Sequence, residues 1–211
     1  MKVNKKVIYS SLIAFFYAVL LGGLLSPSLA PLFLGLLPFH LLLMLIFIVL
    51  SHHGKNKEFK IFFLFAFLGG FLIEVLGVNT GYIFGTYQFG KTLGVRLADT
   101  PIVMGALWLI LLYSTGVSIA YLKIQNHAIR ALIGAFFLVF MDILIEPVAV
   151  SLDLWNWENM NIPFQNYVAW FVFSFCMLLF LFARKFRKQN PAALVLLVSQ
   201  LVFFLALNMY G

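Results

Sequence analysis

Apolar residues fill this chain in seven long blocks, separated by short stretches of lysine, arginine, asparagine, proline or glycine. The blocks show neither the alternation of a half-buried strand nor the one-sided stripe of a soluble helix; they are apolar all round, as a helix in hydrocarbon must be. A bilayer core about 30 Å thick takes about 20 such residues per crossing. The pattern predicts spans near 7–25, 32–50, 59–78, 102–122, 128–150, 164–183 and 191–209. The expected fold class is all-α: a polytopic membrane protein, one integral membrane domain over 1–211, built as a bundle of about seven transmembrane helices. Lys2, Lys5 and Lys6 precede the first block as they would a signal peptide. Its apolar run is too long for one, and Pro31 follows the only small-residue cleavage site, so it reads as a membrane helix.

Composition narrows the class. Of 211 residues, 64% are hydrophobic and 10% charged, whereas about a quarter of a soluble domain is charged. The formal charge of +7 is topological: twelve of fourteen basic residues fall at the N-terminus and in loops 2–3, 4–5 and 6–7, leaving Lys91 and Arg96 on the other side. The positive-inside rule then makes the N-terminus cytoplasmic and the C-terminus extracytoplasmic in the cell (cytoplasmic) membrane. No basic stretch interleaved with aromatics exists to bind nucleic acid. A lone Cys176 removes disulfide frameworks and cysteine-based metal sites. Segments 79–101 and 151–163 are long and polar, with Asn79, Tyr87, Arg96, Trp155, Trp157 and, just beyond, Asn166, so function is expected on the outer face.

Three acids stand inside spans: Glu74 in the third, Asp142 and Glu146 in the fifth. Each costs about 2.5–3.5 kcal/mol near the bilayer centre, so intramembrane acids default to function. Asp142 and Glu146 are four residues apart, on one helix face and about 6 Å apart along the axis. Glu74 and Glu146 each lie four residues from the outer end of their expected span, which predicts similar depth. Carboxyls converging in a low-dielectric pocket cannot all ionise, and a protonated acid beside a carboxylate is what general acid and general base catalysis require. Pro147 leaves the Ile143 carbonyl unpaired and predicts a kink that widens a cavity. Arg96 is the cation able to fold in from the outer loop.

Weaker signals set limits. His40 can face the same cavity, although a lone histidine is more often structural. His52, His53 and His127 lack paired metal-ligand spacing, and no basic cluster accompanies the acids to hold a magnesium-bound phosphate; no metal is expected. Gly22–Gly23 and Gly69–Gly70 predict close helix approach. The seventh span has no lysine for a retinal Schiff base. Trp155 and Trp157 fit an interfacial aromatic belt as well as a site.

Glu74-Val-Leu-Gly77-Val-Asn79-Thr80-Gly81, then Phe84-Gly85-Thr86-Tyr87, Leu93-Gly94, Pro101 and Trp108 follow one another in an order that resembles the membrane carotenoid-biosynthesis hydratase family, of γ-carotene 1′,2′-hydratase and bisanhydrobacterioruberin hydratase type. Asp142-Ile-Leu-Ile-Glu146-Pro147, Trp155-Asn-Trp157, Ile162-Pro163, Asn166 and Trp170 resemble its second half. The likeness spans about 72–170, with Glu146 where that family carries Asp. It implies a cofactor-independent hydro-lyase that adds water to the terminal C1=C2 bond of a carotenoid ψ-end group. The partners implied are that carotenoid, water and the lipid bilayer, with room for association with other carotenoid-pathway membrane enzymes. Asp142 and Glu74 are the first choices for acid and base, with Glu146 as their tuning partner. Asn79, Tyr87 and Asn166 are expected to hold water, and Trp108, Trp155, Trp157 and Trp170 to contact substrate. The rival readings are a substrate-binding or proton-coupled transport protein, a carotenoid-binding scaffold without turnover, and a polyene isomerase or cyclase working through the same cation.

Overall fold

The computed structural model describes residues 5–211; Lys2, one of the basic residues of the expected cytoplasmic side, lies outside them. Seven helices, α1 (Lys5–Leu25), α2 (Ala30–Ser51), α3 (Lys57–Thr80), α4 (Val103–Ala120), α5 (His127–Ser151), α6 (Phe164–Ala183) and α7 (Pro191–Tyr210), are each long and apolar enough to cross a membrane. The all-α membrane-bundle expectation holds. Asparagine starts three of them: the side chains of Asn56, Asn126 and Asn190 accept from Phe59, Ala128 and Ala192 backbone N–H groups at 3.0, 2.8 and 3.2 Å. These bonds satisfy donors that a helix start leaves without an internal partner.

The helix α4 runs through the middle, almost wholly buried, against α2, α3, α5, α6 and α7. The other six turn exposed apolar residues such as Phe39, Phe65, Phe136 and Val172 outward, where a bilayer would meet them. Small residues set the spacing only in part. A Cβ on Gly70 would come within 2.3 Å of Trp108 and one on Gly23 within 2.3 Å of the Phe33 ring, whereas Gly22 has open space and Gly69 ordinary contact. Close approach is thus a property of one glycine in each pair.

The basic connections gather at one end of the bundle. There His52, Tyr113, Asn190 and Ser51 form a buried network: His52 Nδ1 lies 2.7 Å from Tyr113 Oη, and Asn190 Nδ2 donates to Ser51 Oγ at 2.9 Å and Tyr113 Oη at 3.2 Å. It joins the end of α2 and the start of α7 to the second half of α4. Buried polar groups thus gather at this end as well, because loop asparagine and histidine reach in to satisfy buried hydroxyls.

At the opposite end the two long connections fold onto each other. The strand β1 (Tyr87–Phe89) pairs antiparallel with a strand from the α5–α6 connection (Trp155–Trp157), in register Tyr87 to Trp157 and Phe89 to Trp155. Between them in sequence, β2 (Arg96–Leu97) and β3 (Thr100–Pro101) form a hairpin; the Trp155–Trp157 strand is β4. The hairpin turns through Ala98 and Asp99, both at positive φ (50° and 58°), a turn that usually recruits glycine or asparagine. Asn79 Nδ2 donates to Ala98 O at 3.0 Å and holds that turn.

Candidate active site

Glu74 sits on α3, six residues before its end, and is buried. Both oxygens are engaged: Tyr87 Oη donates to Oε2 at 2.6 Å and Trp108 Nε1 to Oε1 at 2.7 Å. Tyr87 arrives from β1 and Trp108 from α4, so loop and central helix grip one carboxyl. Gly77, one turn beyond Glu74, makes room: a Cβ there would fall 2.5 Å from Phe84 and 3.1 Å from Tyr87 Oη. Burial, followed by the charge and hydrogen bond of Glu74, pushes the Tyr87 phenol up, so it stays a donor.

Glu146 sits on α5, five residues before its end, at a depth along its helix that matches Glu74 as expected. Two indole N–H groups converge on one oxygen: Trp157 Nε1 donates to Oε2 at 2.6 Å and Trp155 Nε1 to the same atom at 3.1 Å. The other oxygen, Oε1, receives no hydrogen bond among the described residues. Indole is a donor only, so Oε2 must act as acceptor, and any proton on this carboxyl belongs on Oε1. Asp142 lies one turn earlier and is fully buried; Asn166 Nδ2 donates to its Oδ2 at 2.7 Å, and its Oδ1 has no partner among the described residues. Glu146 lies within electrostatic reach of both Glu74 and Asp142.

Glu74 and Glu146 line a common cavity of about 20 Å³, together with Asn166 and an aromatic wall that includes Phe84, Phe89 and Trp170. That is room for about one water molecule, with polar partners around it. Asp142 is not on its surface and meets it through Asn166. Trp108 packs against Trp170 with ring centroids 4.2 Å apart and the planes tilted by 34°.

Residues 34–210 match the family described as carotenoid biosynthesis protein. The chain belongs to that family. Bisanhydrobacterioruberin hydratase of Haloarcula japonica is 26% identical over 152 residues, covering 65% of this chain and 52% of that protein. The chain thus spans about half the length of this curated relative. No solved structure matches it. The family match and the relative bear out the resemblance to carotenoid-biosynthesis hydratases, and the matched region holds every residue of the site just described.

In this member of the family the cavity gathers Glu74, Glu146, Tyr87, Trp155, Trp157, Asn166 and Trp170 of the expected residues, with Trp108 on Glu74 from behind. Asn79 stands apart, exposed, its amide spent on backbone carbonyls. Arg96 does not reach the acids: it is exposed and donates to the carbonyls of Phe89 and Gly90, holding the loop. Trp155 and Trp157 are buried donors to Glu146 and not a lipid-facing belt. His40 faces a neighbouring cavity, across Trp155 from this one. The helix α5 continues through Pro147, and Asn208 of α7 donates to the nearby Leu144 carbonyl at 2.8 Å. Phe84, Phe89 and Met104 also line the cavity and were not among the expected site residues. Two of them had a signal: Phe89 is two residues from Tyr87 and so on the same face of a strand, and Met104 is one helical turn from Trp108.

Proposed function

We propose that this chain adds water to the terminal C1=C2 double bond of an acyclic ψ-end group of a carotenoid, with Glu146 as proton donor and Glu74 as the base that activates water. The observation carrying this reading is the pair of carboxyls from α3 and α5 on one aromatic-walled cavity with room for a single water. Glu146 Oε1 gives its proton to C2; the π pair becomes the new C2–H bond and leaves a tertiary cation at C1. Water attacks C1, forming the C–O bond, and its surplus proton passes to Glu74. Proton return from Glu74 to Glu146 closes the cycle, so the net change is one water added across one double bond.

The environment supports both halves. Tyr87 and Trp108 hold both oxygens of Glu74 as acceptors, the arrangement a base requires. The two indoles on Oε2 of Glu146 leave Oε1 to carry the acidic proton toward the cavity. The ring faces of the aromatic wall add to the stabilisation of the tertiary cation beside the two carboxylates, by about 0.5–2 kcal/mol each. Asp142 becomes a positioning residue that orients Asn166. This differs from the sequence-based choice of Asp142 as acid or base, because spacing along α5 does not say which carboxyl reaches the open space. The positive-inside pattern supports a cytoplasmic N-terminus and a site near the extracytoplasmic surface.

The test is expression in cells accumulating an acyclic carotenoid, with extracted pigment examined for the mass of one added water. Wild type is expected to give the hydroxylated product; Glu146→Gln and Glu74→Gln, at equal membrane abundance, are expected to give at least about a hundredfold less. Near-wild-type product from both variants would overturn the reading.

A further inference from the structure

The cavity between the carboxylates has neighbours. Trp155, whose indole holds Glu146, is also a wall of a second cavity of about 60 Å³ among α1, α2, α4, α5 and α7, apolar apart from Tyr17, His40 and Gln200. Leu93 walls that second cavity and also a third space, a groove of about 690 Å³ along α2. Phe67 and Val103 lie on the groove's α3–α4 side, and residues 91–95 close its outer end. The groove exists because α2 and α3, consecutive in the chain, scarcely touch, α4 lying between them. Its lip carries exposed apolar residues, Phe39 and Val95. In a bilayer these meet hydrocarbon.

We propose that this groove and the cavity behind Leu93 seat the linear isoprenoid chain of the substrate, which enters sideways from the bilayer, with Leu93 and Trp155 as the two partitions between lipid and the carboxylates. The inference rests on the hydratase reading of the site. A space of about 20 Å³ holds water and no isoprenoid terminus, so the alkene must approach through adjoining space, and a water-insoluble chain needs that space apolar. The continuous sequence of shared walls from the lipid-facing lip to Glu146 supplies it. Leu93 sits in a single 3-10 turn, Lys91–Leu93, preceded and followed by Gly90 and Gly94, and is the smaller of the two partitions to displace. The groove is held open at Gly35, where an added Cβ would meet nothing within 4 Å.

That glycine provides the test. Gly35→Phe places a ring in the groove without a backbone clash, and Gly22→Phe, on α1 where an added Cβ also meets nothing within 4 Å, is the control. Each is made in the full chain, alone and with Glu146→Gln, and purified from cells accumulating lycopene. Lycopene retained by the Glu146→Gln protein is expected to fall at least about tenfold with Gly35→Phe and less than about twofold with Gly22→Phe. Membrane abundance and helicity by circular dichroism are expected to match wild type in both, and hydration of dihydromyrcene, which carries the same terminal alkene on a short chain, to stay within about twofold of wild type in Gly22→Phe. Equal lycopene retention by the two variants overturns the proposal, as does displacement of co-purified phospholipid by Gly35→Phe while lycopene stays. Gly35→Leu, with a smaller side chain, is expected to lower lycopene retention by less than Gly35→Phe, and retention at the wild-type level in both Gly35 variants overturns the proposal. Retention that depends on Gly35, with neither alkene hydrated by wild type, supports the seat while the hydratase reading fails.

Discussion

Tyr87 and Trp157 are cross-strand partners in the β1–β4 pair, their rings 5.2 Å apart, and each holds one of the two cavity carboxyls: Tyr87 donates to Glu74 and Trp157 to Glu146. A two-stranded pairing of loops thus fixes the relative position of acids carried by two different transmembrane helices. Strand pairing is rigid where loops are not, and catalysis by paired carboxyls depends on their separation being held.

The three acids are expected to separate by severity. Glu146→Gln and Glu74→Gln lower turnover by about 10²- to 10⁴-fold, the usual worth of a general acid or base. Asp142→Asn keeps an acceptor for Asn166 and lowers it by only about tenfold. Pigment extraction with mass detection, normalised to membrane protein, measures all three; an Asp142→Asn enzyme as inert as the glutamine variants would return Asp142 to the catalytic pair.

Tyr87→Phe removes one donor from Glu74 and leaves the ring, and Trp157→Phe removes the shorter of the two bonds to Glu146. Each is expected to cost about ten- to a hundredfold in turnover with unchanged membrane abundance. Because burial and Glu74 push the Tyr87 phenol up, it stays protonated at working pH. The Tyr87→Phe deficit should therefore be constant across about pH 6–9, and a deficit confined to the alkaline side would contradict a neutral donor.

Gly77→Ala inserts a methyl 2.5 Å from Phe84 and 3.1 Å from Tyr87 Oη. Since alanine itself favours helix, the expected result is a local one: about 1–3 kcal/mol of overpacking relieved by moving Phe84 and Tyr87. Turnover falls at least about tenfold while helicity by circular dichroism stays at the wild-type value. Full activity in this variant would show that Tyr87 need not sit where it does.

At the other end of the bundle, burial, then the charges of Lys55, His53 and Arg187, lower the His52 imidazole from 6.5 to about 4. The unfolded chain takes up a proton below about pH 6.5 while the folded one does not, so folding stability is complete above that pH and is lost as pH falls toward about 4. Thermal unfolding in detergent is expected to show this decline, and His52→Gln to flatten it. A variant with the wild-type slope would assign the acid sensitivity elsewhere.

Orientation is open to a direct check. With basic loops cytoplasmic, a reporter that is active only outside the cytoplasm is expected to work when fused after Gly211 and to be silent when inserted in the Lys123–Asn126 loop. The reverse pattern would place the carboxyl site at the cytoplasmic surface.

Much of the site was legible one residue at a time. Glu74, Asp142 and Glu146 stood out because ionisable groups in apolar runs are costly, and matched distance from the span ends gave Glu74 and Glu146 a common depth. Asn79 and Arg96 lie apart from the cavity, which the sequence did not show: a polar residue in an outer loop looks equally suited to bind water or to bond backbone, and only the folded hairpin at Ala98–Asp99 places them on backbone carbonyls. Phe89 and Met104 were hidden among many apolar residues, although strand and helix periodicity placed them beside Tyr87 and Trp108. The basic-end network went unread because His52, Tyr113 and Asn190 are far apart in sequence and individually ordinary.

From its sequence alone the chain is a seven-helix membrane bundle with acids buried near one end, because hydrocarbon demands long apolar helices and penalises every charge placed among them. Which carboxyl meets the cavity and which hides behind an asparagine, where the indoles point, and which gap between helices opens to lipid were decided by tertiary structure. Those outcomes depend on strand register between distant loops and on the rotational setting of packed helices, quantities that side-chain periodicity within one segment does not contain.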